Sequence, residues 1–128
     1  LYGVTRTTAF ALNASDGSEI WRQPVLTGGR HFSIAPAVHD GRVYAGTITR
    51  ANGGIIFALD AGTGSTLWTF NTLLDPTVIP PNNGAGGVWY TPAVDLAGDV
   101  YFGTGNAYTT PRFNLENPDP ILYTNSIL

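Results

Sequence analysis

The sequence contains no cysteine and no methionine. Without cysteine there can be no disulfide and no thiolate metal ligand, and the redox compartment stays open. Charge is also scarce. Only 12% of the residues are charged, 6 basic and 9 acidic, for a formal net charge of −3. That balance speaks against a nucleic-acid partner and against a polybasic membrane surface. So little charge predicts that much of the surface is meant for burial. No apolar run is long enough to span a bilayer, and no signal-peptide pattern is present. No segment has helical periodicity, and 16 glycines and 9 prolines argue against helix.

What the chain does have is repetition. Ala11-Leu12-Asn13-Ala14-Ser15-Asp16-Gly17-Ser18-Glu19-Ile20-Trp21 returns as Ala58-Leu59-Asp60-Ala61-Gly62-Thr63-Gly64-Ser65-Thr66-Leu67-Trp68, at one offset of 47 residues (58 − 11). A second pair follows. Pro36-Ala37-Val38 before Val43-Tyr44-Ala45-Gly46-Thr47 is echoed by Pro92-Ala93-Val94 before Val100-Tyr101-Phe102-Gly103-Thr104. Tyr2-Gly3-Val4-Thr5 reads as the tail of an earlier copy. A period of this length marks an architecture in which one unit cannot cover its own apolar faces and must stack on a neighbour.

Short β-branched and aromatic runs between Gly, Asp and Asn turns predict an all-β unit of four antiparallel strands, the blade of a β-propeller. The complete unit has strands a to d near 34–38, 42–47, 55–60 and 66–70. Strands b, c and d of an earlier unit fall near 1–5, 9–13 and 20–25. Strands a and b of a later one fall near 90–95 and 100–104, with the start of c at 126–128. The expected division is a partial blade over 1–25, a complete blade over 33–70 and a partial blade over 90–128. Since roughly four to eight blades close a ring, the chain is expected to be one piece of a larger propeller. In such a blade the a–b and c–d turns share one face of the disc. The long segments 71–89 (d to a) and 105–125 (b to c) therefore project together from the other. Long loops gathered on one face of a rigid scaffold are where binding concentrates.

The Ala58-x-Asp60-x-x-Thr63-Gly64-x-x-x-Trp68 pattern resembles the tryptophan-docking motif of the pyrroloquinoline quinone (PQQ) dehydrogenase propellers, and 11–21 is a degenerate copy with Asn13 for Asp. The resemblance implies a structural role, with each Trp wedged between blades. The third Trp differs. Trp89 follows Gly86-Gly87-Val88 where the long d–a segment enters strand a, and Gly103-Thr104-Gly105-Asn106 closes strand b. Adjacent strands lie about 5 Å apart, so Trp89 and Asn106 are expected to flank one site at the mouth of the channel. With Leu122-Tyr123-Thr124-Asn125-Ser126-Ile127-Leu128 beyond them, these runs resemble a segment of the quinoprotein alcohol dehydrogenases, near the polyvinyl-alcohol dehydrogenases.

That resemblance implies an eight-bladed propeller in a periplasmic or secreted enzyme. It would oxidise alcohols or polyols with PQQ and calcium and could pass electrons to a cytochrome c. It casts Trp89 as the floor under the PQQ ring and Asn106 as an oxygen donor to calcium. A broad indole gives a dry stacking surface, and an amide oxygen is a hard neutral donor of the kind calcium takes. Two readings stand for Asn106, calcium ligand or cap of its own turn. The chain departs from the family in places. Segment 48–54 carries no carboxylate where the family has a calcium-binding Glu, Tyr90-Thr91 follows Trp89, and the general-base Asp belongs to a later blade. No catalytic residue is expected within this segment. The alternative is a PQQ-like propeller without cofactor, acting as a protein-binding or assembly scaffold.

The remaining candidates read first as turn chemistry. His31 is expected in a d–a loop and His39 in an a–b turn on the opposite face, so the two cannot share a metal. Arg30 and Arg50 would lie on the loop-rich face, and Asp75, Glu116 and Asp119 are loop carboxylates beside Pro or in Pro-rich sequence. Asn13-Ala14-Ser15 matches the glycosylation pattern but occupies the motif turn. Gly103-x-Gly105 opens no helix and is not a dinucleotide fingerprint. No nucleophile triad stands out.

Overall fold

A computed structural model of the chain describes residues 1–24, 31–32, 34–48, 53–72, 83–84, 86–106, 108–109, 123 and 126–128. Among these residues all regular structure is β, and no helix is long and apolar enough to cross a membrane.

Among the described residues there are four antiparallel sheets, three of which follow one another along the chain. The first joins β1 (Tyr2–Val4), β2 (Thr8–Leu12) and β3 (Glu19–Pro24) in that order. The second contains β4 (His31–Phe32), β5 (Ala37–His39), β6 (Arg42–Ile48), β7 (Ile55–Asp60) and β8 (Thr66–Asn71). Two further short strands, β9 (Asn83–Gly84) and β10 (Ala93–Val94), precede β11 (Val100–Tyr101) and β12 (Tyr108–Thr109). The third sheet pairs β10 with β11 and is lengthened by the bridges Val88–Thr104 and Gly103–Ile127.

One expectation needs correction. The innermost strand of the second sheet is not a continuous run at 34–38. It comes in two pieces, β4 against Ile48 and Thr47, then β5 against Tyr44, Val43 and Arg42. His31, expected in a loop, is therefore a strand residue paired with Ile48. The third sheet is broken in the same way, between the Val88 bridge and Ala93. Both breaks end on a proline, Pro36 and Pro92, whose ring nitrogen cannot donate to a ladder. Trp89 and Tyr90 lie in the second break.

The middle sheet is apolar on both faces because both are covered. Val43, Ala45, Phe57 and Leu59 join Ala9, Ala11 and Trp21 of the first sheet in one core. Tyr44, Ile56 and Ala58, on the alternate face, join Val88 and Phe102 of the third sheet in another. Alternation along a strand sends neighbours to opposite faces, so β6 and β7 serve both cores.

The two copies of the motif adopt the same turn. Gly17 N–H donates to the Asn13 carbonyl at 2.9 Å and Gly64 N–H to the Asp60 carbonyl at 2.8 Å. The bulge preceding each turn also falls at the same place, between Ala11 and Leu12 and between Ala58 and Leu59. Trp21 then docks on the second copy. Its Nε1–H donates to the Ala61 carbonyl at 2.9 Å, and its ring fills the space that a Cβ on Gly64 would enter, 2.5 Å from ring carbon Cε3. Gly64 has φ +75°, which glycine adopts without strain. Trp68 keeps the same ring neighbour, Tyr44 at 6.2 Å as Trp21 has Tyr2 at 6.2 Å. Yet Trp68 is 43% exposed and Trp21 only 9%, since among the described residues no turn covers Trp68.

The Asp60 carboxylate organises its turn by accepting from the Thr63 hydroxyl at 2.9 Å, the Thr63 N–H at 2.8 Å and the Gly62 N–H at 3.0 Å. These bonds, the Thr63 hydroxyl first, hold its pKa below the ordinary 3.8. A lowered carboxylate pKa stabilises the fold above the ordinary value and stops doing so as pH falls through the lowered one. Stability should therefore lose a contribution below about pH 3.8. Asp60→Asn, which keeps the accepting oxygen as Asn13 does in the first copy, should lose that acid dependence. Acid-unfolding curves of the two proteins check this, and parallel curves would assign the titration elsewhere.

Candidate functional site

The site region is built where the ends of strands meet the long segments. In the second and third sheets a threonine, late in β6 or just beyond β11, braces the chain where it returns to the sheet. Thr47 Oγ1 accepts the Ile55 N–H at 2.9 Å, and Thr104 Oγ1 accepts the Ser126 N–H at 3.0 Å. These bonds fix where the b–c segments leave and return.

Behind Trp89 four backbone segments cross with almost no side chains between them. Thr72, 1% exposed, closes β8. Its hydroxyl accepts the Gly54 N–H at 2.7 Å and donates between the carbonyls of Gly86 and Gly54 at 2.9 and 3.1 Å. Val88 N–H donates to Thr47 at 3.0 Å, and Gly105 N–H donates to Gly87 at 2.9 Å. A Cβ on Gly86 would stand 2.5 Å from the Gly105 carbonyl oxygen and 2.9 Å from that of Tyr123, so only glycine permits the crossing. Tyr123 packs edge-on against Phe70 at 5.3 Å, tying the segment after β11 to the end of β8. The two long segments also pair directly, β12 against β9 with Tyr108 opposite Gly84 and Thr109 opposite Asn83.

Trp89 emerges from this knot directly after the fully buried Val88. The pyrrole edge of its indole, Nε1 and Cδ1, occupies the space a Cβ on Gly105 would need. Even so, 39% of the residue is accessible. Asn106, the next residue after Gly105, is exposed. Trp89 thus rests on Gly105, the residue before Asn106 in the chain.

The fit to a quinone and its metal differs between the two. An indole held at its pyrrole edge, with 39% of the residue accessible, suits a wall for a flat conjugated ring. For calcium, which takes about 6–8 oxygens, Asn106 brings one amide oxygen. Among the described residues there is no group of three or more His, Cys, Asp or Glu that could hold a metal. The residues present fit a quinone wall; they do not by themselves make a calcium cage.

The other nominees are not part of this arrangement. His31 and His39 pair with opposite ends of β6, at Ile48 and Arg42, about 20 Å apart at strand rise. His31 Nδ1 is buried with no hydrogen-bond partner among the described residues. Arg30, Arg50, Asp75, Glu116 and Asp119 lie outside the described residues. A groove of about 530 Å³ runs along β1 beside Phe10, Phe32 and Pro36, and neither Trp89 nor Asn106 lines it. Sequence reasoning missed the Thr72 junction and the β9–β12 pairing. The glycines at 53, 54, 86 and 87 were the available signal for the first.

Comparison with known proteins gives the family and its fold. The model of the PQQ_2 family, described as outer membrane protein assembly factor BamB, matches residues 1–109. A polyvinylalcohol dehydrogenase from Sphingopyxis sp. (strain 113P3) is 31% identical over 142 aligned positions, covering 89% of this chain and 21% of that protein. The quinohemoprotein alcohol dehydrogenase of Comamonas testosteroni superposes with a TM-score of 0.69 at 27% identity, over 84% of this chain and 20% of its own. The quinohemoprotein alcohol dehydrogenase ADHIIG of Pseudomonas putida HK5 gives a TM-score of 0.70 at 23% identity, over 83% of this chain and 19% of its own. The chain spans about a fifth of the length of these relatives. Their fold is the β-propeller of PQQ-type dehydrogenases, and the described sheets share it.

Proposed function

The chain belongs to the PQQ_2 family of β-propeller proteins, and we propose that it is a segment of a quinoprotein-type oxidoreductase acting on alcohols or polyols. In this reading the three sheets are consecutive blades, divided at 1–25, 33–70 and 90–128. The observation that carries it is the half-exposed Trp89 seated on Gly105 beside Asn106. Likeness to a polyvinylalcohol dehydrogenase and to quinohemoprotein alcohol dehydrogenases supports the same class of reaction.

A bound PQQ would supply the two-electron acceptor for the alcohol, and a cation at its carbonyl would supply Lewis-acid polarisation. Trp89 would form one wall for the ring and exclude water from that side. Asn106 would offer its amide oxygen to the cation. The remaining calcium oxygens and the base that takes the substrate hydroxyl proton belong to other parts of the full-length polypeptide. Its electron acceptor would be a cytochrome c, and its place the periplasm or the exterior.

A second reading keeps the propeller and drops the cofactor, leaving a protein-binding or assembly scaffold. The description of the matching family model favours it, as does the lack of any carboxylate in 48–54. Reconstituting the full-length protein with PQQ and calcium and following dye reduction by alcohols separates the two. The enzyme reading expects alcohol-dependent reduction and a bound quinone absorbance. Their joint absence would leave the scaffold.

A further inference from the structure

We infer that Gly105 is a positioning residue for the Trp89 platform, holding the indole in place through the side chain it lacks. The inference rests on the oxidoreductase reading and extends it from the ring to the backbone beneath it.

Gly105 has no left-handed φ that would demand glycine. The reason for glycine is therefore spatial. A Cβ there would overlap Nε1 and Cδ1 of Trp89, and the Gly87 carbonyl oxygen stands 3.7 Å away. The backbone beneath the indole cannot retreat to make room. Gly105 N–H is bonded to Gly87 at 2.9 Å. On the other side, the Gly105 carbonyl oxygen already stands 2.5 Å from where a Cβ on Gly86 would be. The carbonyl of Gly86 is itself held by Thr72 at 2.9 Å. Any atom added at 105 must therefore displace the indole, because the two chain segments are pinned together. Trp89 has accessible surface to move into, being 39% exposed. The consequence is a tilted or lifted ring and not a broken fold. Gly105 thus sets the height and angle at which a flat cofactor meets Trp89, while the adjacent Asn106 stays on the same backbone.

The test uses the full-length protein carrying 5-fluorotryptophan, with the Trp89 resonance assigned by Trp89→Phe. Gly105→Ala should move the fluorine resonance of Trp89 and leave those of Trp21 and Trp68 in place, without quinone present. It should also weaken PQQ binding about tenfold by calorimetry, the loss expected of an aromatic ring forced off its preferred rotamer. In a Trp89→Ala background the added methyl has nothing to displace, so Gly105→Ala should change quinone affinity no further. Should Gly105→Ala fail to fold alone, recovery of the fold in the double variant would establish the same steric contact. An unmoved Trp89 resonance would overturn the inference. So would unchanged affinity in Gly105→Ala when the unaltered protein binds PQQ. If the unaltered protein does not bind PQQ, the oxidoreductase reading falls, and this role falls with it.

Discussion

Replacing Trp21 by alanine should cost about 3–5 kcal/mol of stability, the range for deleting a buried large aromatic side chain. Trp21 is 9% exposed and lies between two sheets, not inside one. Its ring covers Gly64, packs at 6.2 Å from Tyr2, and its Nε1–H is bonded to the Ala61 carbonyl. Removal leaves a cavity at the sheet–sheet contact and an unpaired buried carbonyl. Neither neighbour can collapse into the gap, because the turn from Asp60 to Gly64 is held by its own hydrogen bonds. Trp21→Phe separates the two contributions. It keeps most of the apolar contact and loses the N–H, so about 1–3 kcal/mol is expected. Urea unfolding of the full-length protein followed by circular dichroism reads both. A loss under about 1 kcal/mol for Trp21→Ala would mean that the indole is not what joins the first sheet to the second.

The same contact explains why the fold could be read from the sequence. An indole can recur at a fixed interval only if what it docks on recurs too, and Ala61 and Gly64 are the second-copy equivalents of Ala14 and Gly17. The period thus carried the long-range contact itself. Strand pairing followed from alternation, so β6, β7 and β8 fall within a residue or two of expectation. The break in the innermost strand was less legible. Phe32 holds the position relative to Thr47 that Val88 holds relative to Thr104, but only the paired prolines hinted that the strand stops and restarts. Asn83–Gly84 reads as a turn by composition, and its pairing with Tyr108–Thr109 is set by the path of two long segments. At the site, Trp89 and Asn106 could be nominated because the runs they close, Gly86-Gly87-Val88-Trp89 and Gly103-Thr104-Gly105-Asn106, resemble those of the quinoprotein alcohol dehydrogenases. The buried Thr72 could not, since its task depends on where Gly54 and Gly86 happen to cross.

Replacing Trp89 by alanine should have the opposite profile to the Trp21 change, with little loss of stability and a large loss of quinone binding. Trp89 is 39% exposed, and its pyrrole edge rests on a glycine, so its removal opens a hollow at the surface that water can fill. Stacking of a flat ring on an aromatic side chain contributes about 1–3 kcal/mol by alanine substitution. That corresponds to a PQQ affinity roughly 5- to 150-fold weaker. Trp89→Phe should recover part of it, because a phenyl ring retains the flat face but loses breadth. The pair to compare is the shift in urea midpoint and the shift in dissociation constant measured on one preparation of the full-length protein. Trp21 should move the first strongly. Trp89 should move the second and scarcely touch the first. If Trp89→Ala binds PQQ as tightly as the unaltered protein, the indole is ordinary packing between sheets and the quinone wall lies elsewhere in the ring.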